Sequence, residues 1–155
     1  MAQDLRSYLD LLKREKPDDA LVITKPVDPA YEITALVVKL EREAKRRPVL
    51  LFENVKGTTF PVLTNLHASR SRLAAAMRVS ALEEMQRTYL KAMERPMPPK
   101  IVSGGPVKEV RATGDGVNLF DLPQIIHHEG DAGSYLTAAI SFAKHPTAEI
   151  WNCAY

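Results

Sequence analysis

The sequence contains a single cysteine, Cys153, among its 155 residues, which excludes a disulfide within the chain and favours a reducing compartment. It has no apolar run of about 18 residues, the length that a membrane-spanning helix requires. Its first residues are polar and charged, unlike those of a secretory signal. The formal net charge of +2 is too small to indicate binding to nucleic acid or to a membrane surface. These absences predict a cytoplasmic globular protein with no nucleic-acid partner and no transmembrane segment.

Hydrophobic residues make up 45% of the sequence and charged residues 26%, as in an ordinary globular protein. The length suits one domain, or one domain and part of another. Residues 95–106 (RPMPPKIVSGGP) hold four prolines and two glycines, which favour a linker over a helix or a strand. We therefore expect one domain at 1–106 and the start of a second at 107–155.

Strand and helix patterns alternate through the first hundred residues. Asp4 is placed to cap an amphipathic helix that runs to about residue 16, and the apolar stretch at 20–24 predicts a short strand. Asp28, which a proline follows, predicts the N-cap of the next helix. The continuous apolar run Val49–Phe52 predicts a strand that is buried on both faces. The alternation predicts a layered α/β (α+β) domain.

Further signals are shorter. The sequence predicts a strand at 60–63 and a helix that begins at Ser69 or Ser71. A further helix is predicted to begin at Ser80, where S-x-x-E spacing indicates a capping box. The alternating sequence at 107–112 predicts an edge strand. The basic run Lys45-Arg46-Arg47 is interpreted as the last turn of the second helix, where positive charge complements the helix dipole. The alternative interpretation of this run is an anion-binding patch.

The last third of the chain predicts a β-hairpin. Residues 134–144 are rich in β-branched, aromatic and small side chains, 145–149 form a proline-containing turn, and 150–155 begin a second strand. By the strand period of two, one face is apolar and is expected to face a core: Leu136, Ala138, Ile140 and Phe142. The other face leaves room for a ligand, because its side chains are small: Thr137, Ala139, Ser141 and Ala143. The alternative is a strand packed beneath a helix or a loop.

The run HHEGD at 127–131 groups residue types that bind metal ions. Its spacing is unfavourable for a shared ion, because adjacent residues of an extended chain point to opposite faces. We interpret the run as a loop in which Asp131 binds local backbone, with a metal site as the alternative. Cys153 has no histidine placed as its base, so it is interpreted as a small buried residue and not as a nucleophile.

An ordered series of short motifs spans nearly the whole chain. It begins with Asp4-Leu5-Arg6, VLLFENV at 49–55 and SRLA at 71–74, and its last third comprises Asp121-Leu122-Pro123, His127, Asp131-Ala132-Gly133, Tyr135, Leu136, Thr137, Pro146 and Asn152. No single motif is specific, but in this order the series resembles the UbiD family of decarboxylases. Because family members are longer, the resemblance implies that the chain is an N-terminal portion.

The resemblance implies that residues 107–155 supply the first strands of a split β-barrel that binds flavin. It implies a reversible decarboxylase that acts on an aromatic or α,β-unsaturated carboxylic acid and uses prenylated FMN as the electron sink. It also implies manganese or magnesium, with potassium as an additional ion, and a homo-oligomer of the full-length protein.

Two residues carry the site that the resemblance implies. Thr137 matches a threonine that contacts the cofactor, and Asn152, six residues after Pro146, matches an asparagine that helps to hold the metal. An amide oxygen is a hard ligand, suited to manganese or magnesium and not to zinc. The family's remaining metal ligands and catalytic residues lie downstream, so no catalytic residue is assigned and the isolated chain is expected to be inactive.

Two other functions remain open at this point. One is a flavin-binding split-barrel oxidoreductase that uses ordinary FMN. The other is a non-catalytic domain that serves as a scaffold or a subunit.

Overall fold

The computed structural model describes residues 4–98 and 100–154. Its helices are α1 (Leu5–Glu15), α2 (Glu32–Arg42), α3 (Arg70–Ala76) and α4 (Leu82–Glu94). Its strands are β1 (Ala20–Ile23), β2 (Val49–Phe52), β3 (Val62–Thr64), β4 (Ser141–Lys144) and β5 (Trp151–Ala154). The mixed helix and strand content confirms the predicted α/β class. In the described part of the chain, no helix is both long and apolar enough to cross a membrane.

Helix α1 begins where the sequence predicts. The Asp4 carboxylate accepts a hydrogen bond of 2.8 Å from the Ser7 backbone N–H, and the Ser7 hydroxyl accepts one of 3.0 Å from the Asp4 N–H. The bond from the Ser7 backbone N–H, followed by the effect of the Ser7 hydroxyl, lowers the pKa of Asp4, because donors to the carboxylate favour its ionised form. At pH values above the ordinary pKa of an aspartate, the ionised cap therefore contributes fully to the stability of the helix. This contribution is lost as the pH falls through the lowered pKa of Asp4.

Strand β2 is the centre of a three-stranded sheet of order β1-β2-β3. It pairs in parallel with β1, to which α2 connects it, and antiparallel with β3. Its burial confirms the strand that the apolar run predicts. Leu50 and Phe52 belong to the core cluster under α2, while Val49 packs with Tyr8 and Leu12 of α1. Since successive side chains of a strand point to opposite faces, helices cover the sheet on both sides.

Helix α2 begins three residues later than predicted, at Glu32. Asp28 is not its N-cap, because the Asp28 carboxylate accepts a hydrogen bond of 2.9 Å from the Ala30 N–H and so closes a turn before the helix. Tyr31 takes the N-cap position with a left-handed φ of 69°. The helix also ends at Arg42, so the basic run 45–47 lies in the following loop, and its assignment to the last helical turn was wrong.

Two other element boundaries differ from the predictions. Strand β3 lies at Val62–Thr64, slightly later than 60–63. Helix α4 has Ala81 as its N-cap, and the Ser80 hydroxyl lies 3.3 Å from the Glu84 carboxylate, so the predicted capping box is not formed. Ser69 is the N-cap residue of α3, which confirms one of the two predicted starts.

The described residues of the proline-rich segment 95–106 are exposed and form neither a helix nor a strand up to Gly105; Pro99 lies outside the described residues. The edge strand predicted at 107–112 was wrong. Pro106–Lys108 is a single 3₁₀ turn, and the exposed residues after it pair with no strand of the described chain. Alternation alone does not make a strand when no partner edge is available.

Strands β4 and β5 form the predicted antiparallel hairpin, in which Ala143 pairs with Asn152. The first strand is shorter than predicted, since β4 begins only at Ser141. The face expected to be a core face is exposed within the described residues, and Phe142 retains 68% of its accessible surface. Cys153 is exposed as well, so its interpretation as a buried residue was wrong for this chain. Tyr155, the last residue of the predicted second strand, lies outside the described residues.

The central position of β2 generates a stability prediction. Phe52→Ala should lower the free energy of unfolding by about 3–5 kcal/mol, because Phe52 is fully buried and its loss leaves a cavity. Phe60→Ala is the matched control, since Phe60 is 49% exposed, and it should cost about 1 kcal/mol or less. Urea unfolding followed by circular dichroism measures both; equal losses would contradict the assignment of β2 as the core strand.

Candidate functional site

The segment after residue 121 docks beside the start of α2. The Tyr31 N–H donates a hydrogen bond of 2.8 Å to the Ile126 carbonyl, and the Ile126 N–H donates one of 3.2 Å to the Pro29 carbonyl. The Thr58 hydroxyl donates to the Asp121 carbonyl at 2.9 Å. These contacts between distant parts of the sequence fix the segment that carries His127 and Asp131.

An open cleft of about 730 Å³ lies between this segment, α2 and β3. Its lining is largely apolar and includes Ile33, Val37 and Ile125, with a few polar side chains between them. Thr137 lines this cleft from a turn at 137–138, not from the strand that the sequence predicts there. We call this site the apolar cleft. An apolar lining with few polar groups is the usual character of a small-molecule site.

His127 is the best-anchored polar side chain of the apolar cleft. Its Nδ1 lies 2.8 Å from the Thr34 hydroxyl, and its ring packs against Tyr135 with centroids 5.6 Å apart and planes inclined by 54°. Its Nε2 is buried without a hydrogen-bond partner in the described structure, as is the hydroxyl of Thr64 on β3. A buried polar atom without a partner is uncommon.

Asp131 organises the loop in which His127 lies. One oxygen of its carboxylate accepts hydrogen bonds from the backbone N–H groups of His127, at 3.1 Å, and His128, at 2.9 Å. This confirms the interpretation of 127–131 as a loop held by Asp131. Within residues 4–98 and 100–154, no group of three His, Cys, Asp or Glu side chains is placed to hold a metal ion.

Asn152 lies away from the apolar cleft, on strand β5. Its side chain is exposed, and the side-chain amide makes no hydrogen bond with another described residue. The amide oxygen is therefore available to a ligand. The structure places Thr137 in the wall of the cleft, but it does not bring Asn152 into the same lining.

Sequence reasoning missed Thr34 and Thr64 as members of the site. Thr34 stands within the apolar stripe of α2, and Thr64 ends a short strand. Neither position forms a motif with other polar residues, so only the fold brings Thr34 to His127 and Thr64 to the cleft.

Two protein-family models match the chain. The N-terminal domain of 3-octaprenyl-4-hydroxybenzoate carboxy-lyase matches residues 11–89, and the Rift-related domain of the same enzyme matches residues 100–155. The chain belongs to the UbiD family. The resemblance that the ordered motifs predict is thereby confirmed over nearly the whole sequence.

Solved structures of UbiD-class enzymes agree with this assignment. HmfF from Pelotomaculum thermopropionicum, in an evolved dimeric form with prFMN, is 38% identical over 99% of this chain with a TM-score of 0.84. The vanillic acid decarboxylase of Sedimentibacter hydroxybenzoicus, in its open form, is 25% identical over 99% with a TM-score of 0.82. The 3,4-dihydroxybenzoic acid decarboxylase of Klebsiella pneumoniae is 28% identical over 63%, with a TM-score of 0.56. The chain covers 35%, 34% and 21% of these proteins respectively.

The hydrogen bonds of Asp131 generate a second prediction. Asp131→Ala should lower the free energy of unfolding by about 1–3 kcal/mol, because two backbone donors lose their acceptor. Glu129→Ala is the control in the same exposed loop and should change stability by about 0.5 kcal/mol or less. Chemical unfolding measures both variants. Loss of manganese or zinc binding without loss of stability in Asp131→Ala would restore the metal interpretation of this loop.

Proposed function

We propose that this chain forms part of a reversible decarboxylase of the UbiD type that works with prenylated FMN. The observation that carries the proposal is the 38% identity, over 99% of the chain, to a UbiD-class enzyme in complex with prFMN. When bound, that cofactor supplies an electron sink for the electrons left by the departing carbon dioxide. The chain's own contribution is to orient the cofactor and the substrate and to exclude water from them.

Thr137 and Asn152 are the residues of this chain that we assign to the cofactor and its metal. Thr137 lines the apolar cleft beside a ring of apolar side chains, where its hydroxyl can contact the flavin. Asn152 has an exposed amide without a partner among the described residues, which suits a manganese or magnesium ligand. Potassium is an additional ion in this proposal. The remaining metal ligands would come from residues outside this chain.

The proposed substrate is an aromatic or α,β-unsaturated carboxylic acid. Two of the matched proteins are decarboxylases of vanillic acid and of 3,4-dihydroxybenzoic acid, which are both aromatic. The apolar cleft offers such a body apolar walls, and His127 and Thr64 are among the polar side chains of its lining. We further propose that the full-length protein is a cytoplasmic homo-oligomer.

A second candidate is a flavoprotein that uses ordinary FMN, because a matched HmfF structure, 39% identical over 97% of this chain, holds FMN. The absorbance spectrum and the mass of the flavin extracted from the full-length protein separate the two functions. The mass of prenylated FMN with carbon dioxide release supports the decarboxylase; FMN without carbon dioxide release supports the alternative.

Asn152 gives the most direct test in the full-length protein. Asn152→Ala should lower metal affinity by about 10–100-fold or more, because the ion loses one protein ligand. Its stability should change by about 0.5 kcal/mol or less, because the side chain is exposed in this chain. Asn152→Asp keeps an oxygen ligand and adds a charge, so the metal should be retained while the flavin phosphate is repelled.

Metal content, flavin occupancy and melting temperature are measured for both variants. Gln86→Ala, which removes an exposed amide from α4, is the control and should leave all three unchanged. Full metal and flavin occupancy in Asn152→Ala would show that Asn152 is not a ligand.

The 155-residue chain alone should neither decarboxylate nor retain flavin. Its described residues contain no group of three metal-binding side chains, so one amide would have to hold the ion. The chain is mixed with prenylated FMN and manganese and then passed through a gel-filtration column. A colourless eluate is expected, whereas a yellow and active eluate would show that the site is complete within these residues.

A further inference from the structure

A second cleft, of about 680 Å³, lies beside the loop that connects α2 to β2. It shares only Ala68 with the lining of the apolar cleft, so it is a separate site. Five basic side chains line it against two carboxylates, a formal excess of three positive charges: Arg42, Lys45, Arg46, Arg47 and Arg72 against Asp19 and Glu41. We call it the basic cleft.

The backbone directs the basic run of the loop toward this cleft. After α2 ends at Arg42, Lys45 adopts a left-handed φ of 53°, and the Arg46 N–H donates a hydrogen bond of 3.1 Å to the Leu40 carbonyl. The run therefore turns back beside the end of the helix. A left-handed conformation is unfavourable for a lysine, so the rest of the loop must hold it in place.

The charges of the basic cleft are only partly neutralised from within. Glu41 accepts hydrogen bonds from Arg47 Nε at 2.9 Å and Nη2 at 2.5 Å, and Arg46 donates to the Asp18 carbonyl. The side chains of Arg42 and Lys45 make no ion pair or hydrogen bond with any other residue in the described ranges. Two cations thus remain available to an anion from solution.

Arg72 is the buried member of the lining of the same cleft. It is 1% exposed, and its guanidinium donates to the Arg47 carbonyl at 2.7 Å and to the Asn65 carbonyl at 2.9 Å. Its Nη1 lies 3.5 Å from the Asp19 carboxylate. Its Nε is buried and has no acceptor in the described structure. The two bonds from Nη2 thus fix a buried positive charge in the lining of the cleft.

We propose that the basic cleft binds a phosphate-bearing small molecule, with Arg42 and Lys45 neutralising its charge and the buried guanidinium of Arg72 adding to the positive potential of the cleft. Guanidinium groups match the oxygens of phosphate and carboxylate alike. The excess of three charges favours a multiply charged phosphate over a single carboxylate. The cleft volume lies within the range of roughly 300–1,000 Å³ that small-molecule sites occupy.

Calorimetric titration of the 155-residue chain with diphosphate, at an ionic strength held constant with sodium chloride, tests this proposal. The double variant Arg42→Gln/Lys45→Gln should bind diphosphate about 10–100-fold more weakly, because two charged contacts are lost. The matched control Arg87→Gln/Lys91→Gln removes one arginine and one lysine from exposed positions of α4. It changes the net charge equally and should bind as the unaltered chain does.

Three results would overturn the proposal. Absence of saturable diphosphate binding by the unaltered chain would show that there is no site. Equal weakening in both double variants would show that only net charge matters. Citrate that binds as tightly as diphosphate would show that the site does not select phosphate. Both double variants should fold as the unaltered chain does, because the four substituted side chains are exposed.

Discussion

The burial of strand β2 on both faces is the constraint on which the rest of the structure depends. Four consecutive apolar residues, Val49–Phe52, leave no face that can meet water, so helices must cover the sheet on each side. Helix α2 covers the face of Leu50 and Phe52, and α1 covers the face of Val49. The loops at the ends of these elements are thereby fixed, and both clefts are built from them and from the elements they join.

The turn before α2, which replaces the predicted start of that helix, positions one wall of the apolar cleft. A helix whose first residue was Pro29 would engage the Pro29 carbonyl in a hydrogen bond within the helix. Because Asp28 closes a turn instead, that carbonyl is free to accept from the Ile126 N–H, while the Tyr31 N–H donates to the Ile126 carbonyl. Those two bonds hold the segment that carries His127 beside Thr34. The unfavourable left-handed φ of Tyr31 is compensated by this docking.

The sequence correctly predicts the helices and strands that are determined by residues close together in the chain. Asp4 caps α1 through a neighbour three residues away, and the apolar run of β2 requires burial wherever it lies. The elements it predicts wrongly depend on a partner. The alternation at 107–112 has no strand to pair with in the described chain, and the apolar face of the hairpin at Phe142 has nothing to pack against. Periodicity states which face a side chain takes, but it does not supply the surface that covers that face.

The basic run at 45–47 shows the same limit for the candidate sites. From sequence, a basic run after an amphipathic stripe is most simply the end of a helix, and only the position of Arg42 as the last helical residue removes that interpretation. Arg72, which lies 25 residues after Arg47 in the sequence, then becomes its neighbour through the Arg47 carbonyl. Arg72 also holds the Asn65 carbonyl, and Asn65 lines the apolar cleft. One buried side chain therefore anchors the wall between a cleft suited to an apolar acid and a cleft suited to a phosphate.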